Sequence, residues 1–312
     1  MEDVMPVFKL LTYSILLMTF LSPSAYAQLY GSAYLGDEGL STLYDINPAT
    51  AEATPIGPIG FERCGAMDFD TQSQSLFAIC ERADGSDIEV LVNINPNTGA
   101  GTEVGPPNTC GEFTDMSFRN ADAVLFASGF DSCDNSFSGY ALTTISALNG
   151  QGAIIGDMQN SGCCGGALAF SLTDGLFFLD NRDFENILYR VNQSTGLATP
   201  DVDVNFPPAL ELEPRANAMA FNPVTGVLFV SIINGGGREN SVREHFLGTV
   251  NTGSGDVTII GPTVDGLDAI AFRKVLVNNV PTLSEMGLLL MAVVLLSGAL
   301  LVLARRKKGA AV

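Results

Sequence analysis

Apolar and polar positions alternate through most of the chain, in short runs broken by Gly, Asn and Pro. A period of two sends successive side chains to opposite faces, so these runs predict β-strands. The runs also recur. Five segments end on a phenylalanine: Gly65-Ala-Met-Asp-Phe69, Thr114-Asp-Met-Ser-Phe118, Gly166-Ala-Leu-Ala-Phe170, Asn217-Ala-Met-Ala-Phe221 and Asp268-Ala-Ile-Ala-Phe272. These phenylalanines stand 49, 52, 51 and 51 residues apart. Six or seven residues after each of the first four comes a Leu-Phe pair: Leu76-Phe77, Leu125-Phe126, Leu176-Phe177 and Leu228-Phe229. A third strand follows, as in Val90 to Asn95 before Pro-Asn-Thr-Gly99, and then a short fourth one ending at Gly105, Gly156 or Gly261.

Four short strands every fifty or so residues predict an all-β domain, a β-propeller of five blades. The last blade lacks a Leu-Phe strand after Phe272. Its counterpart stands at the other end of the domain, as Leu29-Tyr30-Gly-Ser-Ala33, followed by strands at Leu43 to Asn47 and Thr54 to Gly57. The expected closure takes the innermost strand from residues 266–273 and the other three from residues 29–57, which removes an exposed sheet edge. Lys274 to Asn278 competes for the same slot. In the innermost strands the phenylalanines share a face with Met67, Met116, Leu168, Met219 and Ile270, opposite mostly Ala or Ser, a pattern of core packing.

Both ends carry export features. Leu10 to Leu21 is an apolar run too short to span a bilayer, and it leads to Ala25-Tyr26-Ala27. This predicts a signal peptide over residues 1–27, cut by signal peptidase before Gln28. Glu2 and Asp3 are unusual in such a leader; a start at Met5 instead of Met1 leaves Lys9 as its only charge. Met286 to Ala304 is an uncharged run of 19 residues, about 30 Å as a helix, and Arg305-Arg306-Lys307-Lys308 follows. One C-terminal transmembrane helix over 286–304 is expected, with the basic tail 305–308 in the cytoplasm. Ahead of it stands Val280-Pro281-Thr282-Leu283-Ser284-Glu285-Met286-Gly287.

Motif, apolar run and basic cluster in that order resemble the IPTL-CTERM sorting signal of Gram-negative bacteria, a relative of the PEP-CTERM tail. Val280 stands where that motif usually has Ile, and Met286 where it usually has Trp. The resemblance covers residues 280–308. It implies that an exosortase-type membrane transpeptidase recognises the tail, removes it and passes the protein onward. The chain then divides into a leader (1–27), a propeller ectodomain (28–279) and a sorting tail (280–312). The expected route is an inner-membrane-anchored precursor facing the periplasm, and then the cell surface or outer membrane.

Charge narrows the choice of partners. The chain has 34 acidic and 15 basic residues, a net charge of −19. The ends hold five of the basic residues and three of the acidic ones, which leaves the ectodomain at −21. A field of that sign excludes binding to nucleic acid through its phosphates.

The connections after the second and fourth strands are long and variable (Ser128 to Gly139, Phe206 to Arg215, Asn234 to Phe246), the usual setting for binding. All six cysteines fall on that side. Cys64 and Cys80 are symmetric about one hairpin turn and Cys110 and Cys133 about another, which predicts the bridges Cys64–Cys80 and Cys110–Cys133. Cys163 and Cys164 are left adjacent, a pair able to form a vicinal disulfide. Motifs for hydrolases, zinc proteases, P-loops and EF-hands are absent, and His245, the only histidine, reads as a solvated loop residue. Asp68, Asp115 and Asp268 on the innermost strands are candidate channel carboxylates. They suit Ca²⁺, as do Asp131, Asp134, Asp180 and Asp183 more weakly, or paired acids in glycoside cleavage. Hydrogen bonding to backbone amides is the commoner use of such residues. The first reading is therefore a non-enzymatic binding module for an extracellular polysaccharide or protein, without a cofactor; the alternative is an exported glycosidase- or lactonase-like hydrolase.

Overall fold

The computed structural model describes residues 24–34, 39–109, 112–130, 140–159, 166–180, 186–210, 213–235 and 243–277, together with Leu289, Ala292, Val293, Leu296 and Ser297. Ala27–Val275 forms one compact unit; a second comprises Met1–Tyr26 and Leu276–Val312.

The larger unit is all-β. Its strands are β1 (Ser24–Ala33), β2 (Leu40–Ile46), β3 (Ala53–Asp70), β4 (Ser75–Glu81), β5 (Glu89–Ile94), β6 (Gly101–Gly105), β7 (Glu112–Phe118), β8 (Leu125–Phe130), β9 (Tyr140–Ile145) and β10 (Gly152–Asp157). They continue as β11 (Gly166–Phe170), β12 (Leu176–Asp180), β13 (Ile187–Val191), β14 (Ala198–Asp203), β15 (Arg215–Phe221), β16 (Leu228–Gly235), β17 (Arg243–Val250), β18 (Val257–Pro262) and β19 (Leu267–Val277). Three sheets are four-stranded antiparallel meanders, β7 to β10, β11 to β14 and β15 to β18. The fourth has seven strands in the order β19-β1-β2-β3-β4-β5-β6. The fold is β-propeller-like.

Five separate blades were expected, and the hydrogen-bonded sheets number four. The reason is β3, 18 residues long, which closes one meander with its first half and opens the next with its second. The expected pairing of chain end with chain beginning is present as β19 beside β1. Lys274 to Val277 does not compete for that slot, because it simply prolongs β19. β1 starts at Ser24, four residues before the expected mature terminus at Gln28, while its ladder with β2 runs from Leu29↔Ile46 to Ala33↔Thr42.

Inner and second strands interlock through aromatic pairs: Phe77 with Phe118, Phe126 with Phe170, Phe177 with Phe221, Phe229 with Phe272, and Tyr30 with Phe69, at centroid separations of 5.0–5.8 Å. Tyr30 thus stands where the other repeats have the Phe of Leu-Phe. Offset or edge contacts of this kind add about 0.5–1.5 kcal/mol each beyond burial. Farther out, glycines let backbones touch. A Cβ at Gly57 would lie 2.3 Å from the Thr98 carbonyl oxygen, and one at Gly105 2.4 Å from that of Asn149, which accounts for a glycine at the end of the fourth strand in these repeats; β14 ends without one, and there Gly255 of the facing turn leaves the room for Asp203.

The leader residues 1–23 and the motif Val280 to Gly287 lie outside the described residues, and so does most of the expected span 286–304. Among the described residues no helix is long and apolar enough to cross a membrane, so the expected transmembrane helix is not found there. Leu289, Ala292, Val293, Leu296 and Ser297 are helical, and the Ser297 hydroxyl donates to the Val293 carbonyl at 2.6 Å.

Candidate binding cavity at the long-loop end

Each innermost strand begins at the end of the domain that carries the long connections. The first residues of the five repeated motifs, Gly65, Thr114, Gly166, Asn217 and Asp268, all line one cavity of about 460 Å³. The five motif phenylalanines line a void of only about 30 Å³ at the opposite end. Tyr34, Arg63, Glu81, Glu89, Glu112, Phe113, Phe130 and Tyr140 complete the wall of the larger cavity. A neighbouring cavity of about 550 Å³ shares Arg63, Glu81, Glu89, Glu112 and Phe113 and extends to Asp87, Ile88 and Pro106 to Thr109.

A connected polar network runs along one side. Arg63 Nη1 lies 3.0 Å from Glu81 Oε1. The Tyr34 side chain bonds to both Arg63 and Asp268, and Asn217 Nδ2 donates to Asp268 Oδ1. Gly65 leaves room for this, since a Cβ there would sit 3.0 Å from Asp268 Oδ2. Burial pushes the Asp268 carboxyl up despite the bonds from Asn217 and Tyr34. Burial, with the nearby Asp268 carboxylate second, likewise pushes the Tyr34 hydroxyl up. Glu89 accepts the Phe113 amide at 3.1 and 3.2 Å. Its carboxyl is nevertheless raised to about 8, because burial, reinforced by the charges of Glu81 and Glu112, outweighs that bond. The cavity therefore offers donors (Arg63, Asn217), acceptors (Glu81, Glu112, Asp268) and aromatic carbon (Phe113, Phe130).

The three candidate channel carboxylates do not converge. Asp268 lines the cavity, Asp68 lines the small void, and Asp115 lines neither. Asp68 accepts the amides of Phe69 and Phe118 at 2.7 Å and the Ser117 hydroxyl at 3.0 Å. Asp115, 1% exposed, accepts the amides of Met116 and Leu168 at 2.8 Å. Each thus ties its own innermost strand to the next: β3 to β7, and β7 to β11. Burial raises the Asp68 carboxyl to about 6 and puts that of Asp115 well above the usual carboxylate range. Among the described residues no three His, Cys, Asp or Glu side chains are grouped to hold a metal ion. Asp131, Asp134 and Asp183 lie outside the described residues.

The Cys64–Cys80 bridge forms, with Cα atoms 4.0 Å apart. The β3–β4 register shifts between Glu62↔Glu81 and Ala66↔Ile79, and this bulge brings the two cysteines face to face. Cys110, Cys133, Cys163 and Cys164 lie outside the described residues. His245 is not a solvated loop residue. It sits in β17, 8% exposed, with Nδ1 3.8 Å from Asp265 Oδ1, and burial lowers its pKa. Tyr34, Arg63, Glu81, Glu89 and Glu112 were not singled out from the sequence. The available signal was position for four of them, since Tyr34, Glu81, Glu89 and Glu112 lie at strand ends flanking connections on the variable side, whereas Arg63 sits inside β3.

No protein-family model matches the chain, and curated proteins give no significant match. Among solved structures it is similar to one titled "Crystal structure of Nidogen/Laminin Complex", with 9% sequence identity and a TM-score of 0.48, over 80% of this chain and 98% of that one.

Proposed function

We propose that the ectodomain is a closed ring of five four-stranded blades that binds an extracellular polysaccharide, without catalysing a reaction, in the cavity at its long-loop end. Five buried clusters support the ring. Each one joins two neighbouring meanders, and one of them unites Tyr30 and Leu43 with Met67 and Phe69 and with Ala269 and Ala271. The observation that carries the binding reading is the cavity lining, where hydrogen-bonding groups of both kinds surround aromatic carbon, as a hydroxylated ring with an apolar face requires. The hydrolase alternative rests on Asp68, Asp115 and Asp268 as paired acids; of these, Asp68 and Asp115 are bonded to backbone amides instead.

The test is a glycan array probed with the full chain, Phe113→Ala and Asn217→Ala. Binding by the wild type and a loss of at least about tenfold in each variant are expected. A wild type that binds no glycan, or variants that bind as well as it does, would overturn the reading; binding to a protein partner alone would replace it.

The same proposal assigns residues 1–27 to a leader, 286–304 to a membrane anchor and 280–308 to a sorting signal cut by an exosortase-type enzyme. Mass spectrometry of the surface-exposed form should find Arg305 to Lys308 missing. An intact tail on that form contradicts sorting.

A further inference from the structure

β19 fixes at which end of the domain the chain leaves it. It starts at Leu267 and Asp268, at the cavity, where Tyr34 N donates to the Gly266 carbonyl at 3.2 Å. It then runs to the far end, where Phe272 lines the small void beside the turn residues Thr71, Asn120, Leu172 and Pro223. Just beyond, Arg273 Nε donates to Gln74 Oε1, in the turn between β3 and β4. The short turns between third and fourth strands lie at this same end, because the start of each second strand pairs with the end of the third: Leu125↔Ile145, Leu176↔Val191 and Leu228↔Val250.

That end carries exposed apolar side chains at or beside its turn tips: Leu148 (94% exposed), Leu172, Leu197, Val224 and Val227. Soluble turns ordinarily present polar residues there. From Val277 to the start of the apolar run at Met286 there are nine peptide steps, which reach at most about 30 Å.

We propose that the short-turn end is the bilayer-facing surface of the anchored precursor, with Leu148 and its apolar neighbours resting at the lipid headgroups and the cavity directed away. This rests on the anchor reading above. Where the chain leaves the domain and the apolar turn tips, two separate observations, select the same end.

The chain contains no tryptophan, so one substitution supplies a single reporter. The full-length chain carrying Leu148→Trp, and separately Leu40→Trp, is reconstituted into phosphatidylcholine vesicles with headgroup-spin-labelled phosphatidylcholine as quencher. Leu40 is 51% exposed and opens β2 at the long-loop end. The expected result is at least twofold stronger quenching of Leu148→Trp than of Leu40→Trp. A chain that floats with the vesicles but shows equal or reversed quenching overturns the proposal alone. A chain that does not float overturns the anchor reading and this proposal with it.

Discussion

Gly99 is asked to do two things at once, and the two can be separated by substitution. Its φ is +81°, a conformation that costs a side chain about 1–2 kcal/mol. A Cβ there would also meet the Gly57 carbonyl oxygen at 2.4 Å. Forcing a methyl into such a contact costs about 1–3 kcal/mol more. Gly85 (φ +73°) has the conformation without the contact, since nothing lies within 4 Å of its Cβ position. Gly57 has the contact without a positive φ, with Thr98 O at 2.3 Å. Urea unfolding of the three alanine variants, followed by circular dichroism, should therefore give losses of about 1–2 kcal/mol for Gly85→Ala and about 1–3 kcal/mol for Gly57→Ala. Gly99→Ala should lose about 2–5 kcal/mol. If Gly99→Ala is no worse than Gly85→Ala, the outer strand of one repeat does not press on the turn of the next, and the packing argument fails.

The Cys64–Cys80 bridge spans 16 residues, so Cys64→Ser with Cys80→Ser should lower unfolding stability by about 3 kcal/mol; a loss under 1 kcal/mol would mean that the hairpin already holds itself together. Asp68 and Glu89 both bind their protons more tightly folded than unfolded. Their contribution to stability is complete below about pH 4 and is lost as pH rises past about 6 for Asp68 and about 8 for Glu89. Thermal midpoints should accordingly fall from pH 5 to pH 9, and Glu89→Gln should flatten the upper part of that fall; a midpoint that rises with pH contradicts the burial argument.

Much of the scaffold was legible because repetition multiplies weak signals. One alternating run is ambiguous, but five phenylalanines at nearly equal spacing, each followed by Leu-Phe, define strands that reappear almost residue for residue, such as Leu176–Asp180 and Leu228–Gly235. The place of Leu29-Tyr30 was readable because the last repeat lacked a partner strand. What the pattern concealed was continuity. The connection from Gly57 to Gly65 reads as a loop, but β3 passes straight through it and merges two repeats into one sheet. The cavity was harder still. Asp68, Asp115 and Asp268 look alike in sequence, yet they occupy three different rows of the innermost strands, and only the first row, that of Asp268, opens on the cavity. Arg63, Glu81 and Glu89 come together through cross-strand registers and a bulge, neither of which has a local signature.

Closure of the ring is tested most directly by native-state amide hydrogen exchange in the segment Leu29–Ala33. If β1 is held between β19 and β2, its amides should exchange as slowly as those of Ser75–Glu81, a strand also bonded on both sides. Exchange as fast as that of the sheet-edge strand Gly101–Gly105 would mean that the start of the chain does not lock the end in place, and the closed ring would be wrong.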